Sequence, residues 1–158
     1  MNTGILVLRL VLGLLVASHG IQKVTPWLGG NGLSGGVAEF RGDGFRGGAV
    51  TALTAGGSQI GSGLLLAAGL LTPLAAVGAM GTMTVAVTVK RPKGLWAQND
   101  GYEYPLVLVA LAAVLALTGP GGFSVDAAVH LPTAAWTAPT AIIAGIGSGL
   151  ATRAILHR

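Results

Sequence analysis

The chain has 158 residues, of which 52% are hydrophobic and only 9% charged, with a net charge of +4. That length makes one domain or one membrane bundle. The charge fraction is far below the roughly one quarter usual for water-soluble domains, and disorder would need low hydrophobicity and high charge. There is no cysteine, which excludes disulfides, thiolate metal sites and thiol redox chemistry.

Taken in chain order, four apolar stretches cover residues 4–21, 50–71, 73–89 and 104–118. Each approaches the roughly 20 residues needed to cross the hydrocarbon core. They are apolar all round, as lipid-exposed helices are. Residues 139–156 form a fifth stretch, rich in Ala and Gly and interrupted by Arg153. The expected fold is all-α: a transmembrane four-helix bundle over residues 1–130 with a fifth helix in a C-terminal extension, 131–158. Between the first two stretches, residues 24–49 hold nine glycines. They predict a long loop with a short interfacial helix over 35–41 carrying Phe40. Leu71-Thr72-Pro73 predicts a tight helix–helix turn, since Pro is tolerated in a first helical turn. Gly119-Pro120-Gly121-Gly122 ends the fourth helix. Trp27, Trp96 and Trp136 flank spans, where indole rings favour headgroups.

The basic residues orient the bundle. Lys23, Arg41 and Arg46 fall in the first loop, Lys90, Arg91 and Lys93 in the third, and Arg153 and Arg158 at the end; only Arg9 lies toward the other side. Cytoplasmic loops carry excess Lys and Arg. The expected placement is therefore the bacterial inner membrane, N-terminus outside and C-terminus cytoplasmic. Arg9 inside the first apolar stretch, with no basic residue before it, argues against a cleaved signal peptide.

Several of these residues, in this order, resemble the DoxX family of small bacterial membrane proteins. The text is Arg9-Leu10, Gly13, His19-Gly20-Ile21-Gln22-Lys23, then Gly63 through Ala75, then Gly101-Tyr102-Glu103-Tyr104, and finally Gly119-Pro120-Gly121, Ser124 and Asp126. The resemblance implies a four-helix membrane bundle linked to redox functions: some relatives are subunits of a thiosulfate:quinone oxidoreductase, and others join oxidative-stress complexes. It therefore implies protein partners in a membrane complex. The chain departs from the family pattern at Gln59, where a Glu is frequent, and at Lys90-Arg91, where a His is frequent. Residues after about Leu131 lie outside it.

Polar side chains gather at one mouth of the expected bundle. His19, Gln22 and Lys23 share a face of the first helix, because they are spaced i, i+3, i+4. Asp100, Tyr102, Glu103 and Tyr104 open the fourth helix on the same side, and Lys90 and Arg91 end the third there. A quinone headgroup needs donors for two carbonyl oxygens beside an apolar slot; His19, Lys23 or Tyr102 can donate, and Glu103 can relay protons. Pairing of Glu103 with Lys23 or His19 is the structural alternative. Gln59, midway along the second span, needs a partner because hydrocarbon offers none; Ser62, Thr82 and Thr84 are its expected partners. Gly57/Gly61 and Gly145/Gly149 form G-x-x-x-G pairs suited to close helix packing, or to a homo-oligomer contact. Arg9 and Asp126 are expected to form a structural ion pair at the outer rim.

Other chemistries lack their residues. Two G-x-G-x-x-G matches, starting at Gly30 and Gly42, follow no strand and come from loop composition. Three dispersed histidines make no metal or haem site. The short, aromatic-poor basic loops suit lipid headgroups rather than nucleic acid. The functional expectation is a redox-linked membrane subunit that docks protein partners and holds a quinone at its polar mouth; the alternatives are a small-molecule carrier and a ligand-free scaffold.

Overall fold

The computed structural model describes residues 2–132 and 134–157. It is all-α. Five long helices dominate: α1 (Asn2–Val24), α3 (Ala49–Ala68), α4 (Thr72–Lys90), α5 (Glu103–Thr118) and α7 (Thr137–Leu156). Two shorter ones, α2 (Gly32–Gly42) and α6 (Val125–Ala128), lie between them. Among the described residues there is no strand, only an isolated bridge between Phe45 and His157. α2 is longer than the 35–41 expected. Helical glycine costs about 1 kcal/mol against alanine, so its glycines mask it in sequence. Tertiary contact compensates: a Cβ on Gly36 would strike the Lys23 carbonyl, so glycine there lets α2 lie directly on α1.

Three helical segments are long and apolar enough to cross a membrane: Asn2–Val24, Thr72–Lys93 and Thr137–Leu156. The C-terminal helix, Ala- and Gly-rich and interrupted by Arg153, therefore meets both requirements. α3 has 20 residues, but Thr51, Thr54, Ser58, Gln59 and Ser62 dilute its apolar character. α5 is apolar but has only 16 residues, about 24 Å of helix.

α1 packs along α3, and α4 packs against α3, α5 and α7. The α1–α3 crossing is built on glycines seven residues apart. A Cβ on Gly13 would enter the Gly63 carbonyl and the Ala67 backbone, and one on Gly20 would enter the backbone at Gly56 and Ile60. Gly145 and Gly149 serve the same purpose where α7 lies on Met80, Gly81 and Thr84 of α4. The other expected pair does not: Gly57 and Gly61 have nothing within 4 Å of an added Cβ. The buried stripe of α3 is Gly56 and Gly63, because the helix turns Gly57 and Gly61 off the contact face. Leu12, Val16, Leu66, Met80 and Leu115 fill the core between these crossings.

The expected Arg9–Asp126 ion pair is not formed. The ion pairs among the described residues are Lys23–Glu39, Lys90–Asp100 and Lys93–Asp100. Arg9 is 1% exposed. Its guanidinium donates to the carbonyls of Pro120 at 2.6 Å and Phe123 at 2.5 Å. Asp126, 3% exposed, accepts from the N–H groups of Leu71 at 2.8 Å and Thr72 at 3.0 Å. Each charge thus serves backbone groups that have no helical partner. Leu71 is left-handed, at φ 48°, a strained conformation for a non-glycine residue. Gly69 is also left-handed, at φ 66°, and a Cβ there would collide with the Arg9 guanidinium.

Candidate functional site

At the opposite end, six helices converge: the ends of α1 and α2, the first half of α3, the end of α4, the start of α5 and the end of α7. They enclose a cavity of about 410 Å³. Such a volume falls within the roughly 300–1,000 Å³ usual for small-molecule sites. Val77, Met83, Val85, Ala86 and Val89 of α4 supply an apolar wall, and Ser148, Thr152 and Leu156 of α7 close another side.

The mouth is charged and internally paired. His19 and Lys23 project from one face of α1, as their i, i+4 spacing requires. Lys23 Nζ donates to Glu39 Oε1 of α2 at 2.7 Å and lies 5.0 Å from the Phe40 ring centroid. His19 Nε2 lies 3.0 Å from the Tyr104 hydroxyl, with the rings edge-on at 5.4 Å. Beneath the mouth the buried Phe45 ring meets Phe40 at 5.8 Å and His157 at 5.5 Å, and the Arg153 guanidinium lies 5.5 Å from it. Arg46 N–H donates to the Leu156 carbonyl at 2.9 Å. The glycine-rich loop is thereby fastened to the end of α7. Asp43 lines the mouth as well; burial, then the neighbouring Glu39, holds its carboxyl above the ordinary value.

Gln59 lines the cavity halfway along α3, about 15 Å from its start at 1.5 Å per residue. It is 4% exposed, and its Oε1 has no hydrogen-bond partner. The expected interhelical bond is absent for a local reason. Ser62 Oγ donates to the Gln59 backbone carbonyl at 3.5 Å, Thr82 Oγ1 donates to Gly78 of its own helix at 3.1 Å, and Thr84 packs on Gly149. Two of the hydroxyls bond within their own helices and the third packs against α7, and the Gln59 oxygen is left unpaired.

Of the residues singled out from sequence, His19, Lys23 and Gln59 meet at this cavity. Gln22, Tyr102 and Glu103 do not line it. Gln22 Nε2 donates to the Leu28 carbonyl at 2.7 Å and lines a smaller polar cleft between α1 and α2. Tyr102 precedes α5 as its cap residue. Glu103 accepts from the Ala97 N–H at 3.0 Å, bracing the α4–α5 loop rather than pairing with Lys23 or His19. Sequence reasoning placed Tyr104 at the mouth but gave it no ligand role, and it missed Glu39 and the α7 hydroxyls. Tyr104 lies two residues from Tyr102, on a different helical face, which the start of α5 decides. Glu39 carries no sequence signal, because its partner Lys23 is reached only when α2 folds back.

A family model described as DoxX matches residues 4–91, more than half of the chain. The chain belongs to the DoxX family. Nothing among curated proteins, and no solved structure, matches it. The matched segment of this DoxX protein holds α1 to α4, and with them His19, Lys23 and Gln59. Tyr104, Ser148 and Thr152, which complete the cavity, come from α5 and α7 beyond it. This DoxX protein is an integral membrane protein, given its family and its three long apolar helices.

Proposed function

We propose that this DoxX protein is a multi-pass subunit of the bacterial inner membrane. It holds a quinone-type amphiphile in the cavity beneath His19, Lys23 and Tyr104, and docks redox partner proteins at that face. The observation that carries the reading is Gln59: a nearly fully buried amide whose Oε1 has no partner, in the lining of a cavity with an apolar α4 wall. An unpaired buried polar group costs about 1–3 kcal/mol, and a polar headgroup would satisfy it. The volume and the α4 wall fit an aromatic headgroup with an apolar tail, so the residues present fit such a ligand. When bound, a quinone would supply two-electron redox chemistry; the chain's own residues hold and orient it.

The N-out, C-in orientation is part of the same proposal and rests on the clustering of basic residues around the mouth. A carrier fits less well, because a solute would need a path to the far end. There Leu12, Leu66, Leu115, Arg9 and Asp126 are packed to 0–3% exposure.

Mass spectrometry of gently extracted protein tests the ligand. A quinone-class lipid should co-purify with the wild type and be depleted in Gln59→Leu; equal recovery from both, or none from either, would overturn the reading. Cysteines at Gly32 and Gly94 should react with an impermeant thiol reagent only after lysis, and labelling in intact spheroplasts would reverse the orientation.

A further inference from the structure

We infer that the cavity selects amphiphiles whose headgroup donates hydrogen bonds, a phenol, hydroquinone or alcohol, over headgroups that only accept. The inference deepens the reading of the cavity as a small-molecule site and rests on it. Four of the six Ser and Thr hydroxyls lining the cavity have committed their hydrogens to backbone carbonyls. Thr54 donates to Val50 at 2.8 Å, Thr82 to Gly78 at 3.1 Å, Ser148 to Gly145 at 2.8 Å, and Thr51 to Arg46. A hydroxyl that donates to its own helix keeps only acceptor lone pairs for a ligand. Gln59 Oε1 adds a further unpaired acceptor.

The donors at the mouth each have a partner within the protein. Lys23 donates to Glu39, Lys90 donates to Asp100, and His19 and Tyr104 hydrogen-bond each other. A carbonyl-only headgroup would find the Gln59 amide nitrogen and the Ser58 and Thr152 hydroxyls, but none of the four hydroxyls committed to backbone could donate to it. A hydroxyl finds acceptors on α3, α4 and α7 alike. An ammonium headgroup would also donate, but the acids lining the cavity, Glu39 and Asp43, are at the mouth, and Glu39 is already paired with Lys23. At the depth of Gln59 it would be a buried charge without a counter-ion, which is strongly disfavoured. A neutral hydroxyl is therefore the class that fits. Where the ligand is a quinone–quinol couple, the reduced form is the one held.

The test compares a 4-alkylphenol with its methyl ether of equal chain length, titrated against the full-length protein in lipid nanodiscs. The phenol should bind about tenfold more tightly, the advantage of one added hydrogen bond. Gln59→Leu should cut that advantage to within about threefold by weakening the phenol alone. Leucine there removes an unpaired buried amide, so the melting temperature should hold or rise, and Thr82→Val supplies a second variant with the same expected direction. If the ether binds as tightly as the phenol, or if both variants leave the preference intact, the donor-selective reading fails while the cavity remains a ligand site. If neither probe binds, the cavity is not such a site and both readings fall.

Discussion

The Thr72 hydroxyl donates to Asp126 Oδ2 at 2.8 Å, and the Thr72 N–H donates to the same oxygen at 3.0 Å. A carboxylate from beyond α5 therefore caps α4, 54 residues earlier in the chain. It occupies the place an N-cap side chain would take, where helix N–H groups are unpaired and negative charge is favoured. Removing it leaves buried donors unsatisfied. Asp126→Ala should destabilise the protein by about 2–4 kcal/mol, and Asp126→Asn, which keeps one acceptor, by about 1–3 kcal/mol. Thermal unfolding in detergent measures both; an unchanged midpoint for Ala would show that the cap is dispensable.

Arg9 holds the Pro120 and Phe123 carbonyls with two nitrogens of one planar group. A lysine has a single point charge and cannot span both. Arg9→Lys should cost about 1.5–3 kcal/mol, one charged hydrogen bond. The charge-swapped pair, Arg9→Asp with Asp126→Arg, should be no more stable than either single change, because each residue serves backbone groups rather than the other. Recovery in the double variant would restore the ion pair as the correct description.

Gly13 and Gly61 make a controlled comparison. A methyl on Gly13 meets backbone of α3, which cannot yield as a side chain can. Gly13→Ala should destabilise by about 1–3 kcal/mol through overpacking. Gly61→Ala meets nothing within 4 Å and should be neutral, or stabilising by up to about 1 kcal/mol through helix propensity. Differential scanning measurements on the two variants should separate in sign or size; equal losses would contradict the crossing described above.

Asp100 bridges Lys90 and Lys93 across the α4–α5 loop. Hydrogen bonds from Lys90 first, then Lys93, hold its carboxyl down at about 2. A depressed carboxyl contributes to the fold above its ordinary value of 3.8, and that contribution is lost as the pH falls from there toward 2. An NMR titration should place the Asp100 midpoint near 2. Protection of the loop amides should fall across the same interval, and Asp100→Asn should abolish that pH dependence. A midpoint near 4 would mean that the bridges do not persist in solution.

Residue type alone carried the all-α membrane character, the five long helices and the tight turn at Thr72-Pro73. Those follow from apolar run length and from the stereochemistry of glycine and proline, which act locally. Some of the mouth was equally legible. His19 and Lys23 share a face by helical periodicity, and an even alternation of helices brings the ends of α1 and α4 together with the start of α5. The span lengths were less secure. α3 looks like a span by length, yet its polar side chains, needed for the cavity, lower its hydropathy.

Partner choice was decided only in three dimensions. Arg9 and Asp126 lie at one end of the bundle, as expected, but unpaired backbone at two helix termini outcompetes the opposite charge. Lys23 meets Glu39 instead of Glu103 because α2 folds back over α1, a contact that no local pattern encodes. Gln59 stays unpaired because its expected hydroxyl partners bond within their own helices or pack elsewhere, and α7, far away in sequence, closes the space beside it. Sequence determined which groups are polar and at what depth; tertiary packing determined which were left for a ligand, because a hydrogen-bonding group goes to the nearest partner whose geometry fits.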